Sequence, residues 1–309
     1  MKLKRLGTAW QTFFFTPQSP LPLACFRILY GLCMLGTLLL LRWNWFEWFG
    51  VHGWFSQTVI AVIEPEPRLN IFLYLPQNDW WVSAFFWIFL GATLSLIVGF
   101  WTRCCSIIVY VCFVSLYQRN PFIWTGGDTF LRAAGFFLMF APAAAALSVD
   151  RLIDRARRHR IEPPMIIPWA QRMIQIELVI VYLMAFCSKL GGATWRNGTA
   201  LYYVLHYRAL TRFSLPHWAM SPTAIRLETW SVLAFELCFP LLVWLPKSRG
   251  LMLFVGLMFH LSVEYALNIP MFEWSILSSY VLFVDPQDIK RFAAHFRSLK
   301  STVVGGVDS

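Results

Sequence analysis

Apolar runs long enough to cross a bilayer recur along this chain, and they decide what it can fold into. They lie at about 21–41, 80–100, 104–118, 129–148, 169–188, 223–246, 249–268 and 270–285. As helices, runs of about 20 apolar residues cover the roughly 30 Å of hydrocarbon in a membrane. The predicted fold class is therefore all-α, a polytopic transmembrane helical bundle of about eight spans. Composition agrees: 58% of residues are hydrophobic and 14% are charged, against about 25% charged in soluble domains. An outer-membrane barrel would need short segments of alternating polarity, and these runs have no period of two.

The net charge of +10 reads as topology rather than as affinity for nucleic acid, because the basic residues sort by side of the membrane. With the N-terminus in the cytoplasm, sixteen of the 26 Lys and Arg fall inside, among them Lys2, Arg103, Arg151, Arg172, Arg249 and Lys290. Six fall outside: Arg42, Arg68, Arg119, Arg196, Arg208 and Arg212. The bias predicts both termini in the cytoplasm, a cytoplasmic N-terminal segment over 1–20, a transmembrane domain over 21–290 and a cytoplasmic tail over 291–309. Residues 301–309 read as disordered, and Asp150 to Pro168 as a juxtamembrane loop. Thr58 to Ile63, broken by Pro65 and Pro67, and the charged stretch from Ala200 to Met220 cannot span. Trp43, Trp45, Trp48 and Trp54 read as interfacial anchors. The first run is too long for a signal-peptide core and lacks a cleavage site, so it reads as a retained anchor.

The seven cysteines lie in or at the lip of apolar runs, where they serve as small packing residues rather than disulfide partners. No zinc spacing, glycine-rich phosphate loop or nucleophile elbow is present, and no metal is expected. No internal repeat supports a transporter.

Ionisable residues inside the apolar runs carry the functional signal, since each costs about 2.5–3.5 kcal/mol on insertion scales. Arg27 is expected to pair with Glu236 or Glu177 and fix helix register. His260 and Glu264 are one turn apart and could form a relay. Gln171 and Gln175 share that spacing and read as interhelical glue. Toward the outer ends of the runs, Asn120, Asp128, Lys189, Asn268 and Glu273 reach one level. Lys189 either snorkels to the headgroups or, desolvated by Phe186 and Leu190, acts as a base.

Several of these residues sit in an ordered set of motifs. Phe13 to Pro20 leads into Phe26-Arg27-Ile28; Asn120 is followed by Gly126-Gly127-Asp128; Ser188-Lys189-Leu190 precedes Trp195; Glu236 precedes Pro240; and Phe259-His260 closes the series. The pattern, over about residues 6–290, resembles the horizontally transferred transmembrane family, which is related to the membrane part of vitamin K-dependent gamma-carboxylase. The resemblance implies a lumenal-side site in which the lysine of a Lys-Leu pair, here Lys189, deprotonates a reduced quinone, vitamin K hydroquinone or menaquinol. Where the carboxylases carry a histidine, this chain has none beside Asp128, which implies a different intermediate. The carboxylases also have a long lumenal portion that recognises the protein substrate. Only about twenty residues follow the last run here, so a soluble partner would have to supply that recognition.

On this reading Lys189, Asp128 and His260 are the catalytic candidates, and Asn120, Glu264 and Trp195 contact the cofactor. The expected function is a quinol-dependent enzyme of the cell membrane, carboxylase-like or a quinol-linked lyase or oxidoreductase, with its site on the outer face. The alternative is a non-redox membrane module for maturation or export of a secreted peptide, with the buried charges structural.

Overall fold

The computed structural model describes residues 2–63, 69–159 and 162–305. Pro65, Pro67, Arg68 and Arg160, which entered the charge and helix-breaking arguments, lie outside the described residues. The described chain is all-α. In order, the helices are α1 (Lys2–Phe15), α2 (Leu21–Leu41), α3 (Trp45–Phe49), α4 (Gln57–Ile63), α5 (Asp79–Val98), α6 (Thr102–Arg119), α7 (Gly126–Phe140) and α8 (Val149–Arg158). They continue with α9 (Trp169–Gly191), α10 (Ala193–Arg196), α11 (Ala200–His206), α12 (Pro222–Leu242), α13 (Pro246–Ala266), α14 (Phe272–Tyr280) and α15 (Pro286–Gly305). Three helical segments are long and apolar enough to cross a membrane: Leu21–Phe49, Asp79–Val98 and Trp169–Gly191.

Each apolar run of the sequence contains a helix, but the last is short. Nine residues of α14 at 1.5 Å per residue make about 14 Å, and the chain then tightens into a 3-10 turn at Val281–Phe283. Both pieces are packed inside protein: Ser275, Ser278, Ser279, Leu282 and Phe283 are buried. Side chains that face outward on the long helices are apolar, including Trp87, Ile88, Ile180, Met184, Leu251 and Phe254. A water-facing helix carries polar residues on that side; these faces fit lipid.

The main sheath pairs neighbours in sequence, α2 with α5, α5 with α6, α6 with α7 and α9 with α12, while α7 also packs on α9 and α14. Gly127 makes the α7–α14 approach possible, since a Cβ there would stand 2.9 Å from the Phe272 Cα. The core runs through Phe26, Phe85, Phe89, Phe113, Phe130, Leu178 and Phe239. Two isolated antiparallel bridges tie loops to the bundle ends, Gln18 to Ile166 and Thr211 to Leu267.

Several expectations are corrected. Asp150 to Pro168 is not all loop, because Ser148 caps α8 by accepting from the Arg151 amide at 2.9 Å. The chain after Lys300 continues as helix to Gly305, and residues 306–309 lie outside the described residues. Trp45 is core rather than anchor, 4% exposed, with its indole donating to the Val82 carbonyl at 3.1 Å; Trp43 and Trp54 do face outward. Arg27 pairs with neither Glu236 nor Glu177. Its guanidinium donates to the carbonyls of Ala143 (3.0 Å), Leu147 (2.5 Å) and Ile97 (3.4 Å), which solvate the cation with backbone dipoles instead of a carboxylate. Gln171 and Gln175 do join elements: both amides donate to the Leu282 carbonyl, at 2.9 and 2.7 Å.

Candidate functional site

Two polar clusters share the interface between α9, α12, α13 and α14. On α9, Tyr182 and Lys189 are seven residues apart, two turns, and so lie on one face of the helix. Lys189 reaches α12 and forms an ion pair with Glu236. The Trp195 ring, on α10, lies below the ammonium, 5.4 Å from Nζ to centroid, within cation–π range. The Lys189 side chain is 27% exposed and that of Glu236 only 6%, so the amine is the accessible end of the pair. Glu236 Oε2 has no partner among the described residues. Pro240 sits inside α12, and a proline four residues on has no N–H to give the Glu236 carbonyl.

Two turns deeper on α9, the second cluster is a continuous chain of hydrogen bonds. His260 on α13 bonds Glu273 on α14 through Nδ1. Its Nε2 lies 2.5 Å from the Tyr182 hydroxyl, which lies 2.7 Å from that of Tyr280. With Glu273 ionised, the network runs one way: Tyr280 donates to Tyr182, Tyr182 to His260 Nε2, and His260 Nδ1–H to Glu273. A carboxylate that orients an imidazole against a hydroxyl is the logic of an activated-hydroxyl relay. All four members are buried. Phe235 and Phe239 of α12 wall them off, with ring centroids 5.5 and 4.6 Å from that of Tyr182. Gly256 opens the space for Tyr280, since a Cβ there would lie 2.2 Å from the tyrosine oxygen. Glu236 is close enough to interact with the His260 imidazole, so the two clusters share one electrostatic environment.

Of the residues expected at a site, the fold brings together Lys189 and Trp195, with His260 in the deeper cluster. Glu264 lies elsewhere. It pairs with Arg212 at 2.5 Å, beside the Thr211–Leu267 bridge, so the partner of His260 is Glu273 and the expected His260–Glu264 relay does not form. Asp128 is buried and caps α7, accepting from the Thr125 amide at 2.8 Å and its hydroxyl at 2.9 Å. Asn120 is fully buried; its oxygen accepts from the Phe122 amide at 3.2 Å, and its Nδ2 has no partner among the described residues. Sequence reasoning missed Tyr182, Tyr280 and the joining of Glu236 to Lys189. The seven-residue spacing of Tyr182 and Lys189 was the available signal.

Among the described residues no group of three or more His, Cys, Asp or Glu could hold a metal ion. No solved structure matches the chain. The family profile described as "HTTM domain" matches residues 15–287, which takes in every residue of both clusters. The chain belongs to the HTTM-domain family.

Proposed function

We propose that this chain is a membrane enzyme of about eight crossings, with both termini cytoplasmic, whose outer-half site binds a reduced quinone and takes a proton from it with Lys189. The lysine and charge biases support that orientation. The short α14 completes the last crossing together with 3-10 and extended backbone covered by protein, as such backbone must be at membrane depth.

The observation that carries the reading is the Lys189–Glu236 pair, half accessible and half buried, above a relay of hydroxyl, imidazole and carboxylate. Unprotonated lysine is the base form, and a buried carboxylate is where its proton can go, since a neutral pair avoids two desolvated charges. Glu236 Oε2, without a protein partner, is an acceptor for a bound hydroxyl. Trp195 and Phe259 provide apolar and aromatic surface for a ring. These groups fit a reduced quinone, which when bound supplies acidic hydroxyls and two electrons. The chain's own part is to bind and orient it, hold one proton between Lys189 and Glu236, and pass protons along Tyr182, His260 and Glu273. The test uses purified protein in detergent with menaquinol or vitamin K hydroquinone. Quinol should raise the melting temperature and support oxygen uptake, and Lys189→Ala should abolish the uptake. Uptake unchanged in that variant overturns the assignment.

A second reading, maturation or export of a secreted peptide without redox chemistry, is favoured by one observation. The outer segment from α11 to Met220 exposes Tyr202, Tyr203, Tyr207, Phe213 and Trp218, side chains suited to holding an extended peptide. Under it, quinol leaves the melting temperature unchanged.

A further inference from the structure

At the end of α9 away from Lys189, seventeen residues or about 25 Å along the helix, lies a polar cavity of about 200 Å³. Gln18, Gln171, Arg172, Gln175, Arg249 and Asp285 line it. The two guanidiniums are close enough to repel one another, and among the described residues neither forms an ion pair with a carboxylate. Asp285, exposed at the rim, instead accepts from the Gln287 amide at 2.8 Å. Arg172 is held by the Phe13 carbonyl (3.2 Å), Gln175 (2.9 Å) and Gln18 (3.4 Å). Arg249 donates from Nε to Val243 (3.2 Å) and from Nη2 to Trp244 (3.3 Å), which leaves its Nη1 without a protein partner among the described residues.

Two more groups lack partners. Gln171 is 3% exposed, and among the described residues its Oε1 has no donor and the buried Gln18 Nε2 no acceptor. A ligand that completes this wall must be anionic, must offer acceptors to Arg249 and Gln18, and must offer a donor to Gln171. Beside the cavity lies an open apolar groove of about 520 Å³, lined by Cys25, Ile28, Leu29, Val281, Ile289 and Phe292. Val284 borders both spaces. On α2, Pro22 faces the cavity and Cys25, one turn on, faces the groove. Asp288, also at the groove, is matched by Arg291 at 3.3 Å.

We propose that the cavity and groove together bind one anionic glycerophospholipid with a hydroxylated headgroup, of the phosphatidylglycerol type. Its phosphate lies against Arg249 and Gln18, its headgroup hydroxyl donates to Gln171, and an acyl chain occupies the groove. A zwitterionic ethanolamine headgroup would bring an ammonium beside two guanidiniums, which disfavours it. The charge bias places this end at the cytoplasmic leaflet, where anionic lipid is met by basic side chains.

The test is native mass spectrometry of the full chain in detergent, titrated with phosphatidylglycerol, with phosphatidylethanolamine of the same acyl chains, and with glycerol 3-phosphate. One phosphatidylglycerol should be retained at least about tenfold more tightly than either of the others, the size of one charge-assisted hydrogen bond. Arg249→Gln should weaken it about tenfold, and Leu29→Trp, which fills the groove and does not line the cavity, should weaken it without touching the headgroup site. Equal retention of the two lipids overturns the headgroup assignment. Glycerol 3-phosphate binding as tightly as the lipid shows a soluble-phosphate site and overturns the lipid. Undiminished lipid binding in both variants overturns the location. The comparison of the three ligands on the unaltered chain decides the matter even if Arg249→Gln fails to fold.

Discussion

Lys189 and Glu236 form an ion pair across α9 and α12 in which the base is partly open and the acid is sealed. The asymmetry sets what each substitution does. Removing the lysine leaves a buried carboxylate with neither oxygen paired; removing the acid leaves an amine that water can still reach. Lys189→Ala should cost about 2 kcal/mol of stability, below the roughly 3–5 kcal/mol for breaking a fully buried pair. Glu236→Ala should cost less, and the double variant should recover part of the loss. Chemical denaturation in detergent micelles, read as a double-mutant cycle, measures this; strict additivity would mean that the pair does not interact.

The two acids near His260 differ in kind, and substitutions separate them. Glu273→Gln removes the carboxylate that orients the imidazole and should lower quinol-dependent turnover by about 10²-fold or more. Glu264→Gln touches only the partly exposed pair with Arg212 and should change turnover little and stability by less than about 1 kcal/mol. Equal losses in both variants would count against the relay as drawn.

Tyr182 is bonded on both sides, whereas Tyr280 is the end of the line. Tyr182→Phe should therefore leave two buried partners unsatisfied, at about 1–3 kcal/mol, and Tyr280→Phe only one. Thermal melts of the two variants should rank in that order, and a reversed ranking would show that the chain of bonds does not run through Tyr182.

Gly256 and Gly250 lie on the same helix, yet only the first faces a wall. A methyl at Gly256 meets the Tyr280 hydroxyl, while nothing lies within 4 Å of a Cβ at Gly250. Gly256→Ala should destabilise by about 1–3 kcal/mol through overpacking and detach Tyr280 from the relay. Gly250→Ala should be neutral or stabilising by up to about 1 kcal/mol, the helix propensity difference. Unfolding midpoints of the two variants give the comparison.

Orientation is open to labelling. In a cysteine-free background, Arg196→Cys should react with an impermeant thiol reagent in intact cells, while Arg157→Cys and Lys290→Cys should react only after lysis. Reaction of all three in intact cells would refute two cytoplasmic termini.

Helices were legible in the sequence because apolar length decides them: each run contains a helix, although α7 stops at Phe140 and α14 at Tyr280, short of the expected ends at 148 and 285. Partners were less legible, because a period gives the face of a helix and not what it meets. His260 and Glu264 share a face, but α13 presents that face to α14 at one level and to the 207–212 segment at the next, so they find different acids and bases. Arg27 was expected to need a carboxylate because charge was weighed against charge. Backbone carbonyls at loop ends, which no residue type announces, could serve instead. Asp128 read as a site residue from its depth, whereas its first-turn position beside Thr125 is a capping signature.

The Arg27 cradle also bears on the order of assembly. Its acceptors belong to residues 97, 143 and 147, and Leu147 holds a left-handed φ of 49°, a costly geometry for leucine. The guanidinium sits near the start of the first long helix, yet two of its three acceptors are synthesised more than a hundred residues later. During biosynthesis α2 is made before any of the three acceptors, and the cradle can be complete only after Leu147 has emerged. The first long helix to be made is thus among the last to be locked. In a cysteine-free chain that keeps Arg27, nascent chains stalled before residue 143 should leave Ala24→Cys, buried one turn away on α2, open to an aqueous thiol reagent, and chains stalled after α8 has cleared the ribosome should close it; protection in the shorter chains would show that α2 seats itself alone.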